Sequence, residues 1–313
     1  MTEGPIKNIP ASIHQRLKNK AAELGQTFNE VLQHYALERF LYRLSISMHA
    51  DQFILKGALL LRVWGLSSLR ATRDIDLLGH TNNQVASVAE IMRSVCNVEA
   101  LDDGLTFADD TVRAATITED AEYEGVRVEF EGRLGNASIP MQVDIGFGDR
   151  VTPAPQQITY PSILGMASPK LRSYPPETSI AEKFQVMLQR GRLNSRMKDF
   201  FDIWSLARSR SFDGRVLSAA VRATCEHRQT PVQADPIAFT KDSVTDPSKA
   251  VQWRAFRARL RDSDCPQTFA EVAAEVARFL RPIATAIAAG TAFEGQWEAG
   301  GPWTGLGAPP TTG

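Results

Sequence analysis

Asp74-Ile75-Asp76 is the tripeptide of this 313-residue chain whose residue types and spacing most directly permit chemistry. With Leu77 and Leu78 it reads as a strand, and residues two apart on a strand share a face with Cα atoms about 6.6–7 Å apart. Both carboxylates can then converge on one ligand while Ile75 anchors the opposite face in the core. Alone, such a pair also suits a solvated strand face neutralised by Lys or Arg, but two neighbouring motifs add to it. Upstream, Lys56-Gly57-Ala58 ends a strand and opens a helix, where backbone N–H groups could meet a phosphate and glycine would let a ligand approach the backbone. Downstream, Gln142-Val143-Asp144-Ile145 repeats the polar and apolar alternation and offers a third carboxylate from a neighbouring strand. Three clustered anions are tolerable only if partly protonated or if cations sit among them, and hard oxygen donors favour Mg²⁺ or Mn²⁺ over zinc. Two such ions about 3.5–4 Å apart can bridge the phosphates of a nucleoside triphosphate and stabilise departing pyrophosphate, which is nucleotidyl transfer. Glycoside hydrolysis also uses paired carboxylates, but they flank a sugar from opposite sides and need no glycine-turned helix start.

The elements that must position these groups follow from apolar periodicity. Ile13, Leu17, Ala21 and Leu24, then Val31, Leu32, Tyr35, Ala36, Phe40 and Leu41, recur at helical steps on either side of Gly25, predicting two N-terminal helices. Phe53 to Lys56 reads as a strand, Ala58 to Trp64 as a short apolar helix, and about Asn82 to Val95 as another. Thr111 to Thr118, Val126 to Arg133 and Ile139 to Phe147 read as strands, so the middle of the chain should form a mixed sheet. Ser179-Ile180-Ala181-Glu182 has capping-box spacing and predicts a helix start that places Lys183 one turn in. A helix from about Ser195 to Ser209 carries Lys198, Asp199 and Asp202, and Gly214 to Pro282 reads as helical with breaks near Arg228–Pro236 and Asp246–Ser248. The expected organisation is a helical segment over 1–50, an α+β core over 51–165, a helical domain over 166–288, and a Gly/Pro-rich tail over 289–313 that Trp297 and Trp303 could pin locally.

Taken together, Leu55-Lys56-Gly57-Ala58, Arg70-Ala71-Thr72-Arg73-Asp74-Ile75-Asp76-Leu77, Val143-Asp144, Glu182-Lys183 and Lys198-Asp199-Phe200-Phe201-Asp202 resemble the AbiEii-type nucleotidyltransferase toxins. The likeness begins near Ala36, with Glu38-Arg39-Phe40-Leu41-Tyr42-Arg43-Leu44-Ser45, and runs to about Leu206. It departs from the family at Ala58-Leu59, where relatives often carry a second Gly and a Ser or Thr. The resemblance implies a DNA polymerase-β-like core, Mg²⁺- or Mn²⁺-dependent use of an NTP, and a bacterial toxin–antitoxin operon with a cognate antitoxin encoded nearby. The acceptor it implies is the 3′ end of tRNA; a protein or small-molecule hydroxyl, or nucleotide and RNA binding without turnover, are the alternatives. By the same resemblance Asp74 and Asp76 would hold the metals, with Asp144 as a third ligand, and Lys183 would neutralise triphosphate. Lys56, Gly57, Thr72, Arg73 and Asp199 would contact the nucleotide, and Asp202, favoured over Asp199, would act as base or orient Lys183.

The remaining composition narrows the alternatives. Cys96, Cys225 and Cys265 are widely spaced, which supports neither a disulfide framework nor a thiolate zinc site. His80, just beyond the Asp-bearing strand, lacks metal-ligand spacing and reads as an incidental loop residue. No apolar run approaches the ~20 residues of a membrane span, so a cytoplasmic location is expected. A net charge of −1 gives no whole-molecule attraction to a polyanion, so any RNA contact must be local. From Lys183 to Arg215 eight cations face three aspartates, and Arg254, Arg257, Arg259 and Arg261 with Trp253 and Phe256 form a second basic stretch suited to RNA or to an acidic antitoxin surface.

Overall fold

The structure is a computed structural model that describes residues 8–66, 72–100, 102–119, 123–260 and 264–305. Arg70 and Ala71 of the family-like motif, Arg261 of the second basic stretch and the last eight residues of the expected tail lie outside them. The chain is α+β and divides into two compact units. One carries the N-terminal helices and a seven-stranded sheet; the other carries residues 149–155 and everything from Tyr174 onward.

In the first unit the helices α1 (Ile9–Leu24) and α2 (Phe28–Ile46) precede β1 (Phe53–Lys56), a one-turn helix α3 (Leu60–Val63), β2 (Ile75–Gly79) and α4 (Val85–Cys96). Then come β3 (Leu105–Glu119), β4 (Tyr123–Leu134), β5 (Ala137–Phe147), β6 (Gln156–Thr159) and β7 (Lys170–Ser173). The sheet order is β3-β4-β5-β2-β1-β7-β6; β2–β5 and β1–β7 are parallel and the other pairs antiparallel. Beta-3 begins six residues earlier than expected because a register shift between Ala108 and Arg113 interrupts its alternation without ending its pairing to β4.

Helix α2 belongs with the sheet rather than to a separate N-terminal segment, because it is buried on nearly every side. Its Thr27 and Glu30 form a reciprocal capping box at the start. Its Phe40 meets Phe107 of β3 and Phe130 of β4 at ring separations of 5.4 and 4.8 Å. The Glu38-Arg39 and Arg43 positions, polar letters in an apolar run, form a buried ion network. Arg43 donates to both oxygens of Asp103 at 2.7 and 3.1 Å, and Arg39 Nε reaches Asp103 Oδ2 at 3.3 Å. Glu38 accepts from Ser162 Oγ and from the Ile163 amide. Burial pushes the Glu38 carboxyl up, and these two donors with Arg39 pull against it.

The second unit contains α5 (Pro176–Arg190), α6 (Met197–Ser209), β8 (Phe212–Asp213), α7 (Gly214–His227), α8 (Lys241–Val244), α9 (Pro247–Arg257), α10 (Phe269–Ala288), β9 (Gln296–Trp297) and β10 (Trp303–Thr304). Alpha-5 starts at Pro176, three residues before the Ser-x-x-Glu sequence that was expected to cap it. Proline at the first helical position is pre-set for φ and needs no amide partner, so Pro175-Pro176 sets the boundary, and Ser179 is buried inside the helix. The Asp246 side chain caps α9, so the expected break there is a helix start. The segment expected as a tail is packed as far as Gly305: β9 and β10 form a three-stranded sheet with β8. Trp297 Nε1 donates to the Ala207 carbonyl at 2.7 Å and Trp303 Nε1 to that of Phe279 at 2.8 Å. Two indoles burying about 150–250 Å² each outweigh the glycine and proline content that suggested an extended chain.

Candidate metal centre

Beta-2 places Asp74 just before its first residue and Asp76 at its second, with Ile75 and Leu77 buried at 0% and 1% exposure on the other face. The alternation read from the sequence therefore holds in space. Because β2 pairs in parallel with β5, Asp76 lies opposite Asp144; because β1 pairs antiparallel with β2, Lys56 lies opposite Asp76; and because β4 pairs antiparallel with β5, Arg127 lies opposite Asp144. One row of the sheet thus reads Lys56, Asp76, Asp144, Arg127. Asp74, Asp76 and Asp144 each offer one oxygen to a cluster whose members all lie within 4.8 Å of one another. The three-carboxylate convergence expected from the motifs is present, and so is the condition attached to it, since cations flank the acids.

Arg127 is the residue of this row that the motifs did not bring forward. Its Nε donates to Asp144 Oδ1 at 2.8 Å and its Nη2 to Oδ2 at 2.7 Å, and Gln142 Nε2 adds a third donor to Oδ2 at 3.0 Å. A bidentate, charge-assisted pair of this kind fixes the plane of the carboxylate. Its hydrogen bonds to Asp144 raise the Arg127 pKa, with Glu129 and Asp74 contributing in the same sense. The signal for it was available: Val126, Val128 and Phe130 alternate with Arg127 and Glu129, which puts Arg127 on the polar face of its strand.

Gly57 follows β1 at φ +75°, a conformation that side-chain-bearing residues seldom adopt. A Cβ placed on it would come within 2.7 Å of Asp76 Cβ and 2.5 Å of Asp76 Cγ, and closer still to Oδ2. Glycine here admits the Asp76 carboxylate against the backbone. The expected helix after it is reduced to one turn, with Leu60 N bonded to the Gly57 carbonyl and Leu61 N to that of Ala58. So short a helix gives little dipole for an anion. Leu59, standing where relatives often have a hydroxyl, is core at 1% exposure. Thr72, buried, donates through Oγ1 to Asp74 Oδ1 at 2.7 Å, so its hydroxyl orients that carboxylate; Arg73 beside it is exposed. His80 is an exposed residue after β2, its amide bonded to the Gln52 carbonyl.

In the second unit Lys183 sits one to two turns into α5, and Asp199 and Asp202 lie one turn apart on α6. The Lys183 ammonium pairs with Asp202 Oδ2 at 3.1 Å and with Asp199 Oδ1 at 3.6 Å, and Arg196 Nε holds Asp199 Oδ2 at 2.6 Å. Both aspartates are at most 1% exposed. These carboxylates fix the ammonium, which favours the orienting role for Asp202 over that of a base exposed to an acceptor. In the second basic stretch Trp253 is 1% exposed and donates to the Pro266 carbonyl, so it is core rather than a stacking surface.

The donor set fits a hard divalent cation: the cluster offers only oxygens, with no His or Cys ligand among its members. Asp74 and Asp76 are partly exposed, whereas Asp144 is buried and engaged on both oxygens by Arg127 and Gln142, so the first two present the more accessible carboxylates.

The family model described as nucleotidyl transferase AbiEii toxin, type IV toxin–antitoxin system, matches residues 39–275. Among solved structures, a candidate nucleotidyltransferase from Helicobacter pylori is 16% identical with a TM-score of 0.44, covering 83% of this chain and 95% of its own. JHP933 from Helicobacter pylori gives the same identity, TM-score and coverage of this chain, and 92% of its own. Both likenesses are too distant to carry a functional argument. No curated protein matches the chain. Among the described residues no helix is long and apolar enough to cross a membrane.

Proposed function

Since the chain belongs to the AbiEii family of nucleotidyltransferase toxins of type IV toxin–antitoxin systems, we propose that it transfers a nucleoside monophosphate from an NTP to an RNA hydroxyl, the tRNA 3′ end being the expected acceptor. The observation that carries this reading is the convergence of Asp74, Asp76 and Asp144 on one face of β2 and β5. Asp74 and Asp76 would hold Mg²⁺ or Mn²⁺, which when bound screens triphosphate charge and stabilises leaving pyrophosphate. In the reaction the acceptor oxygen attacks the α-phosphorus, the bond from that phosphorus to the bridging oxygen breaks, pyrophosphate departs, and the hydroxyl proton passes to solvent.

The chain's own residues would divide the work as follows. Thr72 aligns Asp74, Gly57 leaves room for Asp76, and Arg127 holds Asp144 in plane and keeps the acidic row near neutrality. Lys56 and Arg73 supply positive charge beside the carboxylates. Lys183, which the family resemblance assigns to triphosphate, belongs to the second unit, where Asp202 and Asp199 hold its ammonium in position. The antitoxin is the expected protein partner and the cytoplasm the expected compartment.

The test is incubation of the purified protein with each α-labelled NTP, total RNA and cell lysate, with and without EDTA. Label in the tRNA fraction that disappears with EDTA and in Asp76→Asn supports the reading. Label in protein or small molecules redirects the acceptor. Pyrophosphate release and labelling that are absent from the wild type, or unchanged in a folded Asp76→Asn variant, refute it.

A further inference from the structure

Beside the carboxylates the first unit holds a cavity of about 510 Å³, bounded by the start of α2, by the beginning of β5 and by Thr72 and Arg73. Its volume lies in the range of small-molecule sites, roughly 300–1,000 Å³. Thr72 connects the two places, lining the cavity and donating to Asp74. Leu32, Ile139 and Pro140 give apolar walls, among which stand the neutral side chains of Asn29, of Gln33, whose Nε2 donates to the Pro140 carbonyl at 3.0 Å, and of Ser138, which hydrogen-bonds Glu131. His34 also lines the cavity; it is 8% exposed, and its Nδ1 has no hydrogen-bond partner.

The wall chemistry selects among ligands. One cation, Arg73, and one anion, Glu30, line the cavity, so it carries no net positive charge to attract a phosphate group. Apolar walls with several neutral donors and acceptors suit a flat heterocycle read along one edge. Burial first, then Arg62, holds His34 at about 4 against a small opposing effect of Glu30, so the ring is neutral near pH 7 and offers one donor and one acceptor. The two ring nitrogens point away from each other, so His34 can meet one group of a base edge, and Gln33 Oε1 is left to accept from a donor beside it.

We propose that this cavity is a nucleobase subsite, seating a base next to the phosphate-handling carboxylates and reading its edge with His34 and Gln33; this rests on the nucleotidyl-transfer reading above. The base could come from the incoming NTP or from the last nucleotide of the acceptor. Two variants test the subsite. Ser138→Trp fills the mouth from an exposed strand position, and His34→Phe removes the edge-reading nitrogens at similar size. Calorimetric titration with the α,β-methylene analogues of ATP, GTP, CTP and UTP in Mg²⁺ is paired with acceptor-RNA kinetics.

Analogue binding weakened tenfold or more, with the ranking of the four bases altered in His34→Phe, supports the subsite and assigns it to the NTP. Unchanged analogue affinity with acceptor KM raised tenfold or more supports it and assigns it to the acceptor. Wild-type affinity and KM in both folded variants overturn the subsite while leaving the transfer reading intact. If the wild type neither binds an analogue nor transfers, the transfer reading fails on its own. Free adenosine, guanosine, cytidine and uridine then decide the cavity: binding lost in Ser138→Trp keeps the base site, and absence of binding rejects it.

Discussion

Gly57→Ala is the smallest change that should separate the geometry of the acidic cluster from its composition. The added methyl meets Asp76 Cγ at 2.5 Å, where ordinary contact begins near 3.4 Å, so the carboxylate or the β1 end must move by about 1 Å. The same substitution puts a side chain at φ +75°, which costs about 1–2 kcal/mol for an L-residue. For a unit of this size about 1 kcal/mol lowers Tm by roughly 2–4 °C, so a fall of about 2–8 °C is expected from the backbone alone. A catalytic group misplaced by about 1 Å can lower the rate on the order of 100-fold. Calorimetry and initial rates of nucleotide incorporation at saturating NTP measure the two effects on one preparation. The variant should remain folded and transfer at least 100-fold more slowly, with all three aspartates intact. If Gly57→Ala retains the wild-type rate, the close seat of Asp76 on the glycine has no part in catalysis.

Other expectations follow from the buried charges. Lys183→Met leaves Asp199 and Asp202 without their shared ammonium and should cost about 3–5 kcal/mol of stability as well as activity; adding Asp202→Asn should recover part of the Tm but none of the rate, and recovery of rate would remove the lysine from the reaction. Asp103→Ala strands Arg43 and leaves Arg39 with Glu38 as its remaining carboxylate, and should lower stability by a similar amount in a denaturant titration, with a change under 1 kcal/mol as the contrary result. His34, held at about 4 against an ordinary 6.5, binds fewer protons folded than unfolded between those values. Stability is therefore undiminished above pH 6.5 and falls by about 3 kcal/mol as the pH drops through 4; urea titrations should show this slope in the wild type and not in His34→Phe, and parallel slopes would contradict the assignment.

Strand periodicity made the acidic pair legible, because Asp74-Ile75-Asp76 and Val143-Asp144-Ile145 each state which side chains share a face. The pairing that brings the two strands together is a long-range property, and the letters alone gave no register. Arg127 was missed because a lone arginine in an alternating strand looks like a solvent-facing residue until the strand opposite it is known. The helix after Gly57 was overestimated because apolar letters from Ala58 to Trp64 satisfy helical and core-turn patterns alike. Ser179 was read as a cap because its spacing to Glu182 is local, whereas Pro175-Pro176 already fixes the helix start. The C-terminal segment was underestimated because composition counts glycines and prolines equally with the two indoles that hold it down.

The cross-strand row Lys56, Asp76, Asp144, Arg127 also bears on how the sheet is assembled. Slipping any one of these four strands by a single residue would turn its charged member toward the apolar side and bring an aliphatic neighbour into its place. Misaligned pairings would thus strand an ion in the core, an error far more costly than exchanging one aliphatic side chain for another. The residues proposed to handle phosphate would therefore double as an alignment key during folding, and variants that neutralise both Asp144 and Arg127 should tolerate shifted pairings that the native chain rejects.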